Sequence, residues 1–125
     1  MKRIHRIITL MSFVLSLTPS LGQQKGKATY YSKKVHGRNT ASGVVYHNDS
    51  LTCAHKSYPF GTRLLVRNTN NNKQVVVTVT DRGPYRRHFV IDLSYAAAKL
   101  LDMVGHGIAS VEISKYDSIP DLSVK

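Results

Sequence analysis

The chemistry legible in this 125-residue chain begins with one carboxylate. Asp81 ends the run Gln74-Val75-Val76-Val77-Thr78-Val79-Thr80, and the chain then turns at once through Gly83 and Pro84. An acid at that point is held by a rigid element and presented at its rim, as a general acid must be. On spacing alone it is equally a turn carboxylate that accepts from the N–H groups of its own loop. Pairing with Arg82 would count against the acid role. His55, closing Leu51-Thr52-Cys53-Ala54, can orient a carboxylate or bind a ligand through a ring nitrogen, or it is simply satisfied within the fold. Cys53 and His55 do not make a nucleophile pair. Cys53 reads instead as a small buried apolar residue.

Asp92 lies 11 residues beyond Asp81, at the start of a helical pattern. Capping is its first reading, although two carboxylates on one cleft are also what sugar cleavage requires. Tyr30, Tyr31, Tyr46 and Tyr85 fall in or beside loops at the same rim, with Arg82, Arg86 and Arg87 close in sequence to Asp81. Aromatic faces beside hydrogen-bonding groups suit a sugar chain, or plain packing. His36 and His88 have no metal-ligand spacing, and one cysteine excludes zinc sites built from several. Neither a metal nor a cofactor is expected. No phosphate loop, H-E-x-x-H or G-x-S-x-G occurs.

Short strands must position these groups. Lys27 to Tyr31 is a β-type run rich in Thr and Tyr, and Thr40-Ala41-Ser42-Gly43 is a turn signal ahead of Val44-Val45-Tyr46. Residues 63–69 and 74–80 flank an Asn-rich turn and predict a hairpin. In its second run Val75, Val77 and Val79 give one apolar face, the pattern of a barrel wall. Tyr95 to Met103, with three successive alanines, predicts a helix capped by Asp92 or Ser94 and ended by Gly105 and Gly107. Residues 108–113 alternate as a last strand, and the tail after Tyr116 reads as loosely held. The expected fold is mainly β, a barrel of short strands around one or two small helices.

Length allows one domain, and 42% apolar residues are enough for a core. Lys2, Arg3 and Arg6 precede an 11-residue, largely apolar run, Ile7 to Leu17, followed by Pro19, Ser20 and Gly22. That is the three-part pattern of a secretory signal peptide, here residues 1–22, with a domain over 23–125. The run is too short to span a bilayer. The whole chain carries 18 basic and 7 acidic side chains, a net +11. Export makes nucleic acid a poor partner for that charge and leaves anionic lipid or acidic polymers. No lipid-attachment cysteine lies near the cleavage point, so no membrane anchor is expected, and a monomer is the default.

The ordered strings G-K-A-T-Y-Y (26–31), H-G-R-N-T-A-S-G (36–43), L-T-C-A-H (51–55), P-F-G-T (59–62), T-D-R-G-P-Y (80–85) and I-D-L-S-Y-A-A-A (91–98) resemble those of the rare lipoprotein A family. The resemblance runs from about Gly26 to Ile113. It implies a six-stranded double-psi β-barrel, similar to that of expansins. It also implies an exported septal-ring or cell-envelope protein that cleaves peptidoglycan glycan strands by lytic transglycosylation, with a preference for strands stripped of peptide stems. Carried over by motif, Asp81 and His55 become the catalytic residues. Tyr30, Tyr31, Arg82, Tyr85, Arg86, Arg87 and Asp92 become candidates for binding the substrate. The family often has a glutamate after T-A-S-G, where this chain has Val44. That departure favours one rival, a non-catalytic, expansin-like polysaccharide-binding module; the basic rim leaves open another, an exported interaction protein that docks a partner or inhibits an enzyme.

Overall fold

The computed structural model describes residues 22–118, so the signal segment expected over residues 1–22 lies, Gly22 apart, outside the described residues. Six strands, β1 (Gln24–Tyr30), β2 (Thr52–Ala54), β3 (Arg63–Asn68), β4 (Gln74–Asp81), β5 (Phe89–Leu93) and β6 (Ala109–Lys115), close into a barrel in the order β1-β5-β2-β4-β3-β6. The β1–β5 and β2–β4 pairs are parallel and the remaining pairs antiparallel. Alternation puts Leu64, Val66, Val75, Val77, Val79, Ile91, Leu93, Val111 and Ile113 in the core, and Cys53 joins them. The expected apolar face of the hairpin is therefore the barrel interior.

The single α-helix among the described residues, α1 (Tyr95–Leu100), packs Ala97 and Ala98 into that core. Its cap is Ser94, whose hydroxyl accepts from the Ala97 N–H at 3.2 Å. Asp92 does not cap it; Asp92 belongs to β5. The helix also stops earlier than the alanine-rich pattern predicts. Asp102 adopts a left-handed conformation (φ 58°), the Met103 N–H donates to the Ala98 carbonyl, and the Asp102 N–H donates to that of Lys99. This is a Schellman closure with aspartate where glycine is usual. The Asn-rich hairpin turn then locks the helix end. Both Asn68 and Asn71 donate side-chain N–H groups to the Leu101 carbonyl, at 2.9 and 3.1 Å.

Val44-Val45-Tyr46 makes a single bridge, between Asn39 and Val45. At the start of the tail the Arg63 guanidinium lies 2.7 Å from Asp117 and over the Tyr116 ring.

Candidate active site

One rung of the barrel wall crosses four strands. Thr29 of β1 is the register partner of Asp92 in β5, Asp92 of Ala54 in β2, and Ala54 of Asp81 in β4. At about 4.8 Å between strands, the two aspartate Cα atoms stand roughly 10 Å apart with Ala54 between them. By parity Asp81 should face inward with Val75, Val77 and Val79. The β2–β4 register, however, jumps from Cys53–Val79 to Ala54–Asp81, leaving Thr80 as an extra residue. The resulting bulge re-aims the strand end and leaves the Asp81 carboxylate half-buried at the wall of a pocket of about 220 Å³. Tyr31, Val35, Arg38, Asn39, Thr40 and Tyr46 line the rest.

Three donors converge on Asp81. Oδ2 accepts from the Tyr31 hydroxyl at 2.5 Å, and Oδ1 accepts from the backbone N–H groups of Ala41 and Arg82, each at 2.9 Å. Burial first, and then Asp81 itself, push the Tyr31 phenol far above its ordinary value, which keeps it a donor. The Ala41 N–H is delivered by the Thr40–Gly43 turn. Gly43 closes that turn at φ 93°, with its N–H donating to the Thr40 carbonyl, and the Ser42 N–H fastens it to the Thr80 carbonyl of β4. The turn was visible in the sequence; its use as a carboxylate ligand was not, because a backbone N–H leaves no side-chain signature.

The structure separates Tyr30 from Tyr31. Tyr31 reaches Asp81, whereas the Tyr30 hydroxyl donates to the Val104 carbonyl at 2.6 Å and its ring packs edge-on against Tyr95. Successive side chains along an extended chain point to opposite faces, so Tyr30 does not share the pocket. Tyr46 supports Tyr31 edge-on at 4.9 Å between centroids. Its hydroxyl accepts from the Tyr95 N–H.

His55 is brought to Asp81 by its backbone and not by its ring. Its N–H donates to the Asp81 carbonyl at 3.1 Å. In the ring, Nδ1 accepts from the N–H groups of Ser57 and Tyr58, which leaves the proton on Nε2 to donate to Gln24 Oε1 at 3.0 Å. Burial, helped by the nearby charges of Arg82 and Lys56, holds this imidazole below the usual histidine value. Arg82 makes no ion pair with Asp81. Its guanidinium donates to the carbonyls of His55 and Tyr58 and stacks on Phe60 at 4.1 Å. It clamps the loop that follows β2.

Asp92 accepts from the Thr29 hydroxyl in a short hydrogen bond. Burial raises its carboxyl above the ordinary aspartate value; Asp81 adds to the rise, while Thr29 and Arg86 oppose it. Tyr85 and Arg87 are exposed, and Arg86 stacks on Phe89 at 4.0 Å. Val44 is 52% exposed, with its carbonyl held by the Thr40 N–H and hydroxyl. Cys53 is buried, and burial pushes its thiol well up, as befits a packing residue. His36 packs against His47 with ring centroids 4.4 Å apart.

Against known proteins, residues 23–113 match a domain family described as "Lytic transglycolase". The endolytic peptidoglycan transglycosylase RlpA of Haemophilus influenzae is 46% identical over 90 residues, which make up 72% of this chain and 31% of that protein. The chain spans about a quarter to two fifths of the length of the curated relatives it matches. Among solved structures, the Streptomyces papain inhibitor superposes with a TM-score of 0.60 at 25% identity, covering 77% of this chain and 96% of the inhibitor. An expansin from Clavibacter michiganensis gives 0.62 at 22% identity, covering 79% and 52%. The second likeness is one of fold. With its six-stranded closed barrel and a family match over 23–113, the chain belongs to the lytic transglycolase family of double-psi β-barrel domains.

Proposed function

We propose that the protein is an endolytic peptidoglycan transglycosylase that cleaves the β-1,4 bond between N-acetylmuramic acid and N-acetylglucosamine and leaves 1,6-anhydro-muramic acid ends. The observation that carries this reading is the Asp81 carboxylate, set by a bulge at the wall of the pocket and oriented by Tyr31 and two backbone N–H groups. The name of the Haemophilus relative supports it. Lytic cleavage uses no water. The 6-hydroxyl of the muramic acid attacks its own anomeric carbon, so one proton must reach the bridging oxygen and another must leave the 6-hydroxyl. A positioned carboxylate serves such transfers. His55 acts by holding the β2 end and its loop against Asp81, with Arg82 as the clamp. Tyr31, Tyr85, Arg86, Arg87 and Asp92 are the groups available to a glycan. The arginines can meet its lactyl or stem carboxylates, and stripped strands are the substrate we expect.

The same reading has residues 1–22 removed as a signal peptide, leaving domain 23–125 as a monomer in the periplasm or cell envelope, at the septal ring. The test is product analysis by mass spectrometry after incubation with sacculi and with amidase-stripped strands. Anhydro-ended products from the protein, absent with a folded Asp81→Asn variant, are expected; unchanged release by that variant would overturn the assignment. Val44 favours a second reading, a module that binds strands without cleaving them, because no carboxylate follows Gly43. That reading predicts strand binding with no soluble products, and release that begins only on Val44→Glu.

A further inference from the structure

The rung that carries Asp81 carries a second carboxylate, and the two have unlike surroundings. We infer that Asp92 is the proton donor of the cleavage and Asp81 the proton acceptor, the two standing on either side of Ala54, on the two strands that flank β2. The inference rests on the lytic reading above and divides between two groups the proton work that reading leaves to Asp81.

The geometry supports the division. Asp81 meets three donors across its two oxygens, the surroundings of an acceptor. Among the described residues Asp92 receives one donor, the Thr29 hydroxyl, and its other oxygen meets none, so it can carry a proton. The groups around Asp92 come from each neighbouring element: Asp81 from β4, Tyr31 from the end of β1, the Cys53 thiol from β2 and Arg86 from the loop before β5. Burial and the negative charge of Asp81 favour the neutral carboxyl, and Thr29 and Arg86 only partly offset them. Pairs of carboxyl groups held in unlike environments are how one site provides an acid and a base together.

The step balances without a further reactant. The Asp92 O–H gives its proton to the bridging oxygen as the bond from C1 breaks and the electron pair goes to that oxygen, freeing a 4-hydroxyl. The 6-hydroxyl oxygen bonds to C1, and its proton passes to Asp81. Exchange with solvent then returns Asp92 to the acid and Asp81 to the carboxylate.

The experiment compares the protein with its Asp92→Asn, Asp81→Asn and Thr29→Val variants on two substrates. These are stripped glycan strands and a short strand whose terminal muramic acid carries a 4-nitrophenyl leaving group, which departs without protonation. Asp92→Asn keeps an oxygen for Thr29 to bond, and its fold is checked by circular dichroism. We expect it to lose about 10²–10⁴-fold on strands while releasing nitrophenolate within a few-fold of the parent. Asp81→Asn should lose both. Thr29→Val removes a hydrogen bond that favours the charged form of Asp92, so the alkaline limb of its pH–rate profile should move to higher pH. A merely structural role for Thr29 would leave that limb in place. Full activity of Asp92→Asn on strands, or equal loss on both substrates, would overturn the inference. Failure of the parent to form anhydro ends from either substrate would instead overturn the lytic reading, and this inference with it.

Discussion

Both ring nitrogens of His55 are spent inside the fold, on Gln24 and on two backbone N–H groups. A histidine so placed contributes a particular pH dependence to stability. Its folded-state pKa lies below the ordinary value of 6.5, chiefly through burial. Between the two values the unfolded chain therefore binds more protons than the native one, and stability falls as pH drops below about 6.5. Protonation would also cost Nδ1 its role as acceptor. We predict that His55→Gln, a neutral side chain able to donate and accept, flattens the loss of melting temperature between pH 7 and 5. Parallel thermal unfolding across that range checks it, and an unchanged slope would mean that another group titrates. The sequence left open whether this histidine was satisfied or reactive, because ring partners from Gln24, 31 residues away, leave no local pattern.

Element boundaries show the same division between what is local and what is not. Alternation in residues 74–80 reads directly as the inner wall of the barrel, and the Asn-rich turn reads as a hairpin. The bulge at Thr80 does not, since it is defined by the register against β2 and not by any residue type. Parity alone would bury Asp81; only the partner strand reveals why it faces the pocket. The early end of α1 was hidden for a related reason. Alanine-rich propensity runs on to Met103, but Asp102 takes φ 58°, which the surrounding Schellman hydrogen bonds hold in place. That conformation is costly for a residue with a Cβ and free for glycine. Asp102→Gly should therefore stabilise the protein by about 0.5–1 kcal/mol, raising the melting temperature by a few degrees. The ion pair given up is an exposed one, Lys73 to Asp102 at 3.8 Å, and such pairs contribute little. Calorimetry decides it, and a lower melting temperature would show that the aspartate is held by more than backbone geometry.

At the scale of the whole molecule, closure of the barrel and the state of the site meet in β1. That strand pairs in parallel with β5 on one side and antiparallel with β6 on the other, and it supplies Thr29 to the rung that holds Asp92. Its register with β5 slips between Lys27 and Ala28, where Val90 has no partner. The close approach there is permitted by Gly26. A Cβ at Gly26 would sit 2.5 Å from Val90 Cγ1 and 3.1 Å from the carbonyl oxygen of His88, which the Lys27 N–H already engages. Valine has few rotamers to retreat into, so the two strands themselves must part. Gly26→Ala should cost about 1–3 kcal/mol, the range for forcing extra volume into a packed contact. The origin of the loss is separable from any general intolerance of β1. If Val90 is the obstacle, Val90→Ala should recover much of it, giving a coupling energy of about 1 kcal/mol or more in a double-mutant cycle. Urea unfolding of the parent, the two single variants and the double variant measures that cycle. Additive losses would place the constraint in the His88 carbonyl and the backbone instead. Coupled losses, together with a smaller Thr29-dependent shift in the titration of Asp92 in Gly26→Ala, would mean that the packing that closes the barrel also sets the distance across the rung.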